Sequence, residues 1–254
     1  MLARIEAIYR YPLKGLSPQP LARTRLSPGG TLPADRLYAI ENGPTGFDSE
    51  SPAYFPKQRF LMLMRNERLA ALATHFDEEN HTLTIAQDGS EAVRADLRTA
   101  QGRAAVEQFF ARYCADELNG PPKVLYGDGH SFSDVAKKVV SIINLASVAA
   151  VEKAVGAPVQ RLRFRANLYV SGWPAWHEFD LLDREIAIGP ARLKVIKRIV
   201  RCAATDVDPD TGVRDRSIPK TLQQNFGHGD CGVYAQVIAG GDIAVGDTLD
   251  DMRS

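Results

Sequence analysis

The stretch Arg201-Cys202-Ala203-Ala204-Thr205-Asp206-Val207-Asp208-Pro209-Asp210-Thr211-Gly212 is the most informative segment of the chain. It follows a strand-like apolar run over residues 193–200 and ends in a turn-forming sequence. A thiol close to Arg198 and Arg201 is more easily held as thiolate, the form that binds soft metals or attacks electrophiles. The ordinary alternative is a buried core cysteine, because cysteine is among the most buried residue types. The basic surroundings favour a functional role for Cys202.

The composition is that of a globular protein with no general affinity for polyanions. Its 254 residues suffice for one large domain or two small ones. The 31 basic residues balance the 31 acidic ones, so we expect binding neither to nucleic acid nor to a membrane. Charges at Arg4 and Glu6 argue against a signal peptide. The scattered Cys114, Cys202 and Cys231 fit a reducing, cytoplasmic location better than a disulfide framework.

Short alternating runs broken by Pro and Gly fill the first half of the chain. They predict a mainly β structure with a few helices, organised as a barrel or a sandwich. The predicted strands cover residues 2–11, 21–26, 36–41, 60–64, 69–73 and 82–86. Apolar residues at helical spacing predict a helix over residues 103–118, with Cys114 in the core. The sequence Asn119-Gly120-Pro121-Pro122 ends this helix, so we predict two domains, residues 1–118 and 119–254.

The second half of the chain is also rich in predicted strands. Asn144 is a predicted N-cap for a helix over Leu145–Val155 that ends at Gly156. Further strands are predicted over Ala191–Val200 and residues 231–239. Residues 160–170 alternate in polarity, and a strand there would put four polar side chains on one face: Arg161, Arg163, Arg165 and Asn167. A solvated strand face is the ordinary interpretation of such an arginine row.

Several common site patterns do not fit the sequence. Asp206, Asp208 and Asp210 resemble the start of a calcium loop, but Thr211 and Ser217 stand where an EF-hand needs Gly and Glu. A zinc site built from Cys202, His228 and Cys231 is a weak possibility, since the chain lacks a paired CxxC. The glycine-rich phosphate loops of nucleotide-binding proteins and the GxSxG elbow are absent too.

Two segments near the N-terminus carry candidate cations. Tyr11-Pro12-Leu13-Lys14-Gly15 follows the first predicted strand and holds a lysine in a turn between Pro and Gly, where it can meet an anion. Asp35-Arg36 begins another predicted strand. Taken by itself, a lysine in such a turn is more often a solvated loop residue, and Asp35-Arg36 is equally ambiguous.

The ordered set of these segments resembles the MOSC family, the molybdenum-cofactor sulfurase C-terminal domain. It is similar to the two-part members of that family, the amidoxime-reducing component and YcbX-type proteins. The matching segments lie along nearly the whole chain: Tyr11-Pro12-Leu13-Lys14-Gly15, Asp35-Arg36-Leu37-Tyr38, Arg163-Phe164-Arg165-Ala166-Asn167-Leu168, the Cys202 stretch, and His228-Gly229-Asp230-Cys231-Gly232-Val233-Tyr234. Two departures are Ala34, where the family has glycine, and Val200, where amidoxime-reducing members have serine.

The resemblance implies an N-terminal β-barrel-like domain packed on a MOSC β-barrel domain, with a molybdenum–molybdopterin cofactor at their junction. It implies that Cys202 binds the metal, in keeping with the affinity of thiolates for soft metals. The residues carried over as candidates for the cofactor's anionic end and its pterin are Lys14, Arg36, Arg165, Arg201, Asn144 and Asn167. Asp208 or Asp206 would relay a proton, although turn capping is the commoner role of such an aspartate.

The expected activity is reduction of N-hydroxylated or N-oxide small molecules. Because three cysteines are too few for an iron–sulfur cluster, we expect electrons from a separate reductase. Two alternatives stay open: a cofactor carrier or sulfur-transfer protein that uses Cys202, and a binding module whose cysteines are structural.

Overall fold

The computed structural model describes residues 1–252. Within that range the chain forms mostly strands together with three α-helices and several short 3-10 turns. The strands of the first half are β1 (Leu2–Arg10), β2 (Gln19–Leu21), β3 (Arg23–Leu26), β4 (Tyr38–Asn42), β5 (Ala73–Asp77), β6 (Thr82–Gln87), β7 (Ser90–Asp96) and β8 (Pro122–Tyr126). Those of the second half are β9 (Val140–Asn144), β10 (Leu168–Ser171), β11 (Glu185–Ile188), β12 (Ala191–Val200), β13 (Asp230–Ala239), β14 (Gly241–Ala244) and β15 (Thr248–Asp250). The helices are α1 (Ala100–Tyr113), α2 (Leu145–Val155) and α3 (Ile218–Phe226).

Seven strands close into a barrel in the order β1-β10-β9-β13-β12-β11-β15 and back to β1. The β9–β10 pair is parallel, and the other pairs are antiparallel. Alternate side chains of β12, such as Leu193 and Val195, are fully buried inside it. Period-two alternation is what a sheet with one apolar face requires, so the barrel expected from the sequence is confirmed.

The first strand of the chain belongs to this barrel. β1 pairs with β10 on one side and β15 on the other, and β3 pairs with β14. The N-terminal segment is therefore built into the sheet that carries the second half of the chain. The predicted division at residue 118 stays a prediction, and residues 253–254 of its second part lie outside the described residues.

The rest of the first half forms a second unit. β5, β6 and β7 make a three-stranded sheet, β4 pairs with β8, and α1 covers their apolar side. The helix begins at Thr99, whose hydroxyl accepts a hydrogen bond from the Gly102 N–H, and it ends at Cys114. Cys114 is fully buried in this core, as its helical spacing predicted.

The structure corrects three strand predictions. Residues 160–170 do not form one strand: Arg161–Phe164 is a 3-10 turn, and the strand begins only at Leu168. The turn ends at Arg165, which adopts a left-handed conformation with φ +50°, so the predicted row of arginines on one strand face does not exist. Residues 60–64 form only an isolated bridge at Phe60 followed by irregular chain and a turn, and most of 69–73 belongs to a 3-10 helix rather than a strand.

Helix α2 confirms its predicted bounds. The Asn144 side chain accepts a hydrogen bond from the Ala146 N–H, and Gly156 ends the helix in a left-handed conformation with φ +73°. Among residues 1–252, none of the helices combines the length and the apolar character needed to cross a bilayer.

Candidate functional site

A cavity lies where the N-terminal turns meet one end of the barrel. It gathers residues that are distant in sequence, from the segment after β1, the 3-10 turn before Phe60, the turn before β10 and the end of β12. The predicted site residues that line it are Lys14, Arg36, Arg165, Asn167, Arg201 and Cys202. Their convergence from both halves of the chain is what the resemblance implied.

Cys202 is the cavity's thiol. It lies two residues after the end of β12, and its carbonyl accepts hydrogen bonds from the Thr205 N–H at 3.0 Å and from the Thr205 hydroxyl at 2.9 Å, which fix the turn. Its side chain is partly exposed, whereas Cys114 and Cys231 are buried. Burial raises the pKa of Cys114 and that of Cys231 to about 12, so both remain inert thiols.

Two arginines of the cavity have unusual backbone conformations. Arg36 and Arg165 have φ values of +52° and +50°, in the left-handed region that ordinary residues avoid. Their guanidinium groups lie over the ring of Tyr11, at 4.4 Å and 4.3 Å from its centroid. Such backbone strain is concentrated at functional sites, where surrounding contacts hold it in place.

The Tyr11 side chain is a neutral platform for these cations. The residue is fully buried, and its hydroxyl donates to the Ala166 carbonyl at 3.2 Å. Burial, strengthened by the nearby Tyr169, raises the pKa of Tyr11 well above its ordinary value, so the phenol keeps its proton. Gly15, four residues later, has φ +85°, and a Cβ there would lie 3.1 Å from the Leu61 carbonyl. The turn therefore requires glycine.

The cations of the cavity differ in how far their hydrogen-bonding capacity is used. Arg36 donates to both carboxylate oxygens of Asp35, at 2.8 and 2.6 Å, and to the Arg165 carbonyl at 2.9 Å. Arg201 donates to the Phe164 carbonyl at 2.8 Å and twice to the Cys231 carbonyl. Arg201 therefore holds β13 and the turn before β10 in place.

Arg165 is the exception. Within residues 1–252, its guanidinium makes no hydrogen bond or ion pair, only the contact with the Tyr11 ring. Burial, with a smaller contribution from Arg36, lowers the pKa of Arg165 to about 10, which leaves it charged at neutral pH. A partly buried cation without a partner at a cavity wall is available to an anionic ligand.

The predicted residue Lys14 belongs to a charged cluster with Asp134 and Lys57, two residues that were not predicted from the sequence. Lys14 donates to the Phe132 carbonyl at 2.9 Å and forms an ion pair with Asp134, which also lies 3.3 Å from the Lys57 ammonium. The same ammonium lies 3.3 Å from the Cys202 sulfur. Burial alone would raise the pKa of Asp134, but Lys14 and Lys57 outweigh it and hold that pKa below its ordinary value.

The remaining predicted residues have structural partners. Asn167 accepts from the N–H and hydroxyl of Ser141 and donates to the Tyr9 carbonyl, which ties β1 to β9 at the cavity wall. Asn144 is fully buried and lies outside the cavity, where it caps α2 and donates to Pro174 and Glu178.

Asp208 also lies outside the cavity lining. One carboxylate oxygen accepts three hydrogen bonds from Asp210 and Thr211, and the other lies 3.0 Å from the Arg163 guanidinium. These contacts are those of a turn cap. A proton-relay role for Asp208 stays a prediction.

Lys57 and Asp134 were not predicted from the sequence because each lies in an irregular segment. Lys57 follows a loop rich in Gly, Pro and Ser, and Asp134 lies in the turns between β8 and β9. A lysine or aspartate in such a segment is usually solvated, and only the folded chain brings the two together. No local signal would have distinguished them.

Family models match nearly the whole chain. Residues 121–250 match the MOSC domain, and residues 2–119 match the MOSC N-terminal beta barrel domain. The chain belongs to the MOSC family. Its two matched regions are those of the two-part members that the motifs indicated, and the cavity lies where residues of both regions meet.

Curated relatives of this MOSC protein include mitochondrial amidoxime-reducing components. It is 34% identical to mitochondrial amidoxime reducing component 2 of Bos taurus over 125 aligned residues. The alignment covers 44% of this chain and 37% of the bovine protein. Over 112 residues it is 38% identical to mitochondrial amidoxime-reducing component 1 of Homo sapiens, covering 44% of this chain and 30% of that one. The matches thus span about a third of these relatives' length.

One solved structure aligns with nearly the whole chain. The YUAD protein of Bacillus subtilis covers 98% of this MOSC protein and 94% of its own chain, at 12% identity and a TM-score of 0.45.

Proposed function

We propose that this protein is a molybdenum-dependent oxidoreductase that binds a molybdenum–molybdopterin cofactor in the cavity. It would reduce N-hydroxylated or N-oxide small molecules with electrons from a separate reductase. The observation that carries the proposal is the convergence of one partly exposed thiol, Cys202, with an uncommitted guanidinium, Arg165, in a cavity of a MOSC protein. The names of the curated relatives support the substrate class.

The donors in the cavity fit the two ends of such a cofactor. Thiolate is a ligand for soft, redox-active metals. In the described part of the chain, no group of three or more His, Cys, Asp or Glu could hold a metal ion. A metal at Cys202 would therefore have to arrive with other ligands, as it does in a dithiolene cofactor. Arg165 offers a two-point grip on a phosphate, with Arg36 beside it.

When bound, the cofactor would supply the two-electron chemistry of the reduction. The chain's own residues would bind the cofactor and orient it. Cys202 presents its sulfur from the turn that follows β12, and the Thr205 contacts hold that turn. Arg165 and Arg36 are fixed by their backbone conformation and by the ring of Tyr11, so little side-chain freedom would be lost on binding an anion.

The test is metal-dependent turnover by protein made in a host that synthesises the cofactor. With a reduced viologen as electron donor, the purified protein should convert an N-hydroxylated base or an amidoxime to the reduced product. Protein from a host that lacks the cofactor should be inactive, and it serves as the matched control.

The carrier alternative predicts a different pattern. A cofactor carrier or sulfur-transfer protein would contain molybdenum and pterin, or a persulfide on Cys202, yet would not turn over N-hydroxylated substrates with any donor. That result would refute the reductase.

A further inference from the structure

Lys57 touches the sulfur of Cys202 directly. Its ammonium nitrogen lies 3.3 Å from that sulfur, within hydrogen-bonding distance for a sulfur acceptor. Within residues 1–252, Lys57 is the one cationic side chain within hydrogen-bonding distance of this sulfur. Arg201 precedes Cys202 in sequence, but its guanidinium is used by the carbonyls of Phe164 and Cys231.

The position of Lys57 is fixed by a second contact. Its ammonium lies 3.3 Å from one carboxylate oxygen of Asp134, and the other oxygen of Asp134 pairs with Lys14. The Tyr54 hydroxyl donates to the Asp134 carbonyl at 3.2 Å and ties the preceding loop to the same residue. A lysine side chain usually moves freely in solvent, whereas this one is only 23% exposed and has two partners.

The charge of Lys57 is retained in these surroundings. The carboxylate of Asp134 lies 3.3 Å from the ammonium, and an opposite charge at that distance favours the charged form of a lysine. The ammonium therefore remains a fixed positive charge and a hydrogen-bond donor beside the sulfur.

We propose that Lys57 is a positioning residue for the metal ligand: it holds the Cys202 sulfur toward the cavity and raises the reduction potential of a metal bound there. The inference rests on the proposed function. Hydrogen bonds and positive charge at a ligand sulfur withdraw electron density from the metal, and this favours its reduced state. Lys57 lies in the region that matches the MOSC N-terminal beta barrel domain, whereas Cys202 lies in the region that matches the MOSC domain. The N-terminal region would therefore tune a metal ligand that belongs to the MOSC domain.

The test compares three variants made in a cofactor-competent host. Lys57→Gln removes the charge, Lys57→Arg keeps a charge and a donor, and Lys137→Gln removes an exposed lysine outside the cavity as the matched control. The measurements are molybdenum and pterin per chain, and the midpoint potential from a redox titration followed by electron paramagnetic resonance.

We expect Lys57→Gln to shift the potential downward or to lose cofactor, Lys57→Arg to restore much of the wild-type behaviour, and Lys137→Gln to match wild type. Loss of secondary structure in Lys57→Gln, seen by circular dichroism, would overturn the inference, because it would make Lys57 a folding residue. A loaded Lys57→Gln protein with the potential of Lys137→Gln would overturn it too, as would a Lys57→Arg protein no better than Lys57→Gln. These three results leave the proposed function intact, whereas wild-type protein without molybdenum would overturn both.

Discussion

Replacing Arg165 by methionine should separate cofactor binding from folding stability. The guanidinium of Arg165 has no hydrogen bond or ion pair within residues 1–252, and its pKa of about 10 keeps it charged at neutral pH. A charge-assisted hydrogen bond to an anionic ligand contributes about 1.5–3 kcal/mol. Its loss should therefore weaken cofactor binding by roughly ten- to a hundredfold, since about 1.4 kcal/mol corresponds to a factor of ten.

The same substitution should leave the free energy of unfolding nearly unchanged. Methionine removes the desolvation cost of a partly buried, unpaired charge, which offsets the loss of a contact with the Tyr11 ring of about 0.5–2 kcal/mol. Arg201→Met is the matched comparison. Its guanidinium donates to the carbonyls of Phe164 and Cys231, and leaving these acceptors without their donor should cost about 1–3 kcal/mol each.

The assay measures molybdenum and pterin per chain after extensive dialysis, together with the thermal unfolding midpoint. Arg165→Met should lose cofactor and unfold near the temperature of cofactor-free wild type. Arg201→Met should unfold several degrees lower, at about 2–4 °C for each kcal/mol in a chain of this size. An Arg165→Met protein that keeps its cofactor, or that unfolds as early as Arg201→Met, would refute the assignment of Arg165 to the anion.

Three further outcomes are expected. Cys114→Ser should keep reductase activity but lose about 1–3 kcal/mol of stability in a denaturant titration, because it puts a hydroxyl into an apolar core; a loss of activity at full cofactor content would contradict this. Asp134 has a folded-state pKa below its unfolded value of about 3.9, so its contribution to stability is present above that pH and is lost as the pH falls through the folded-state pKa. Below about pH 3.9, the thermal unfolding midpoint of Asp134→Asn should accordingly depend less on pH than that of wild type. Equal pH dependence of the two midpoints would contradict the lowered pKa of Asp134. The purified protein should reduce substrate with a reduced viologen and be inert with NADH alone; steady turnover with NADH and no added reductase would reveal a missed cofactor site.

The sequence predicted the features that depend on local pattern. β12 occupies its predicted residues because apolar side chains alternate toward the barrel interior, and α2 begins at Asn144 because a side-chain oxygen there can satisfy a free N–H. Cys114 is buried as its helical spacing indicated. Lys14 and Cys202 were singled out by their local sequence, their roles toward a cofactor came from the resemblance, and the folded chain places both on one cavity.

The sequence did not predict features that depend on contacts between distant segments. The alternation over residues 160–170 looked like a strand, but the left-handed conformation of Arg165 ends a 3-10 turn and redirects the chain. That conformation is compensated by contacts with Arg36 and Tyr11, more than a hundred positions earlier. The role of Lys57 likewise could not be predicted, because it depends on Asp134 and Cys202, which only the folded chain places beside it.

The binding of molybdenum by Cys202 can be tested by metal analysis of a matched pair of proteins. Wild type and Cys202→Ser should be purified from the same cofactor-competent host and analysed for molybdenum by mass spectrometry and for pterin by fluorescence after oxidation. Because Cys202 is partly exposed and outside the cores, the variant should fold. We expect molybdenum and pterin in fixed ratio in wild type and little molybdenum in the variant. Wild type without molybdenum, or a folded Cys202→Ser protein that holds as much as wild type, would contradict it.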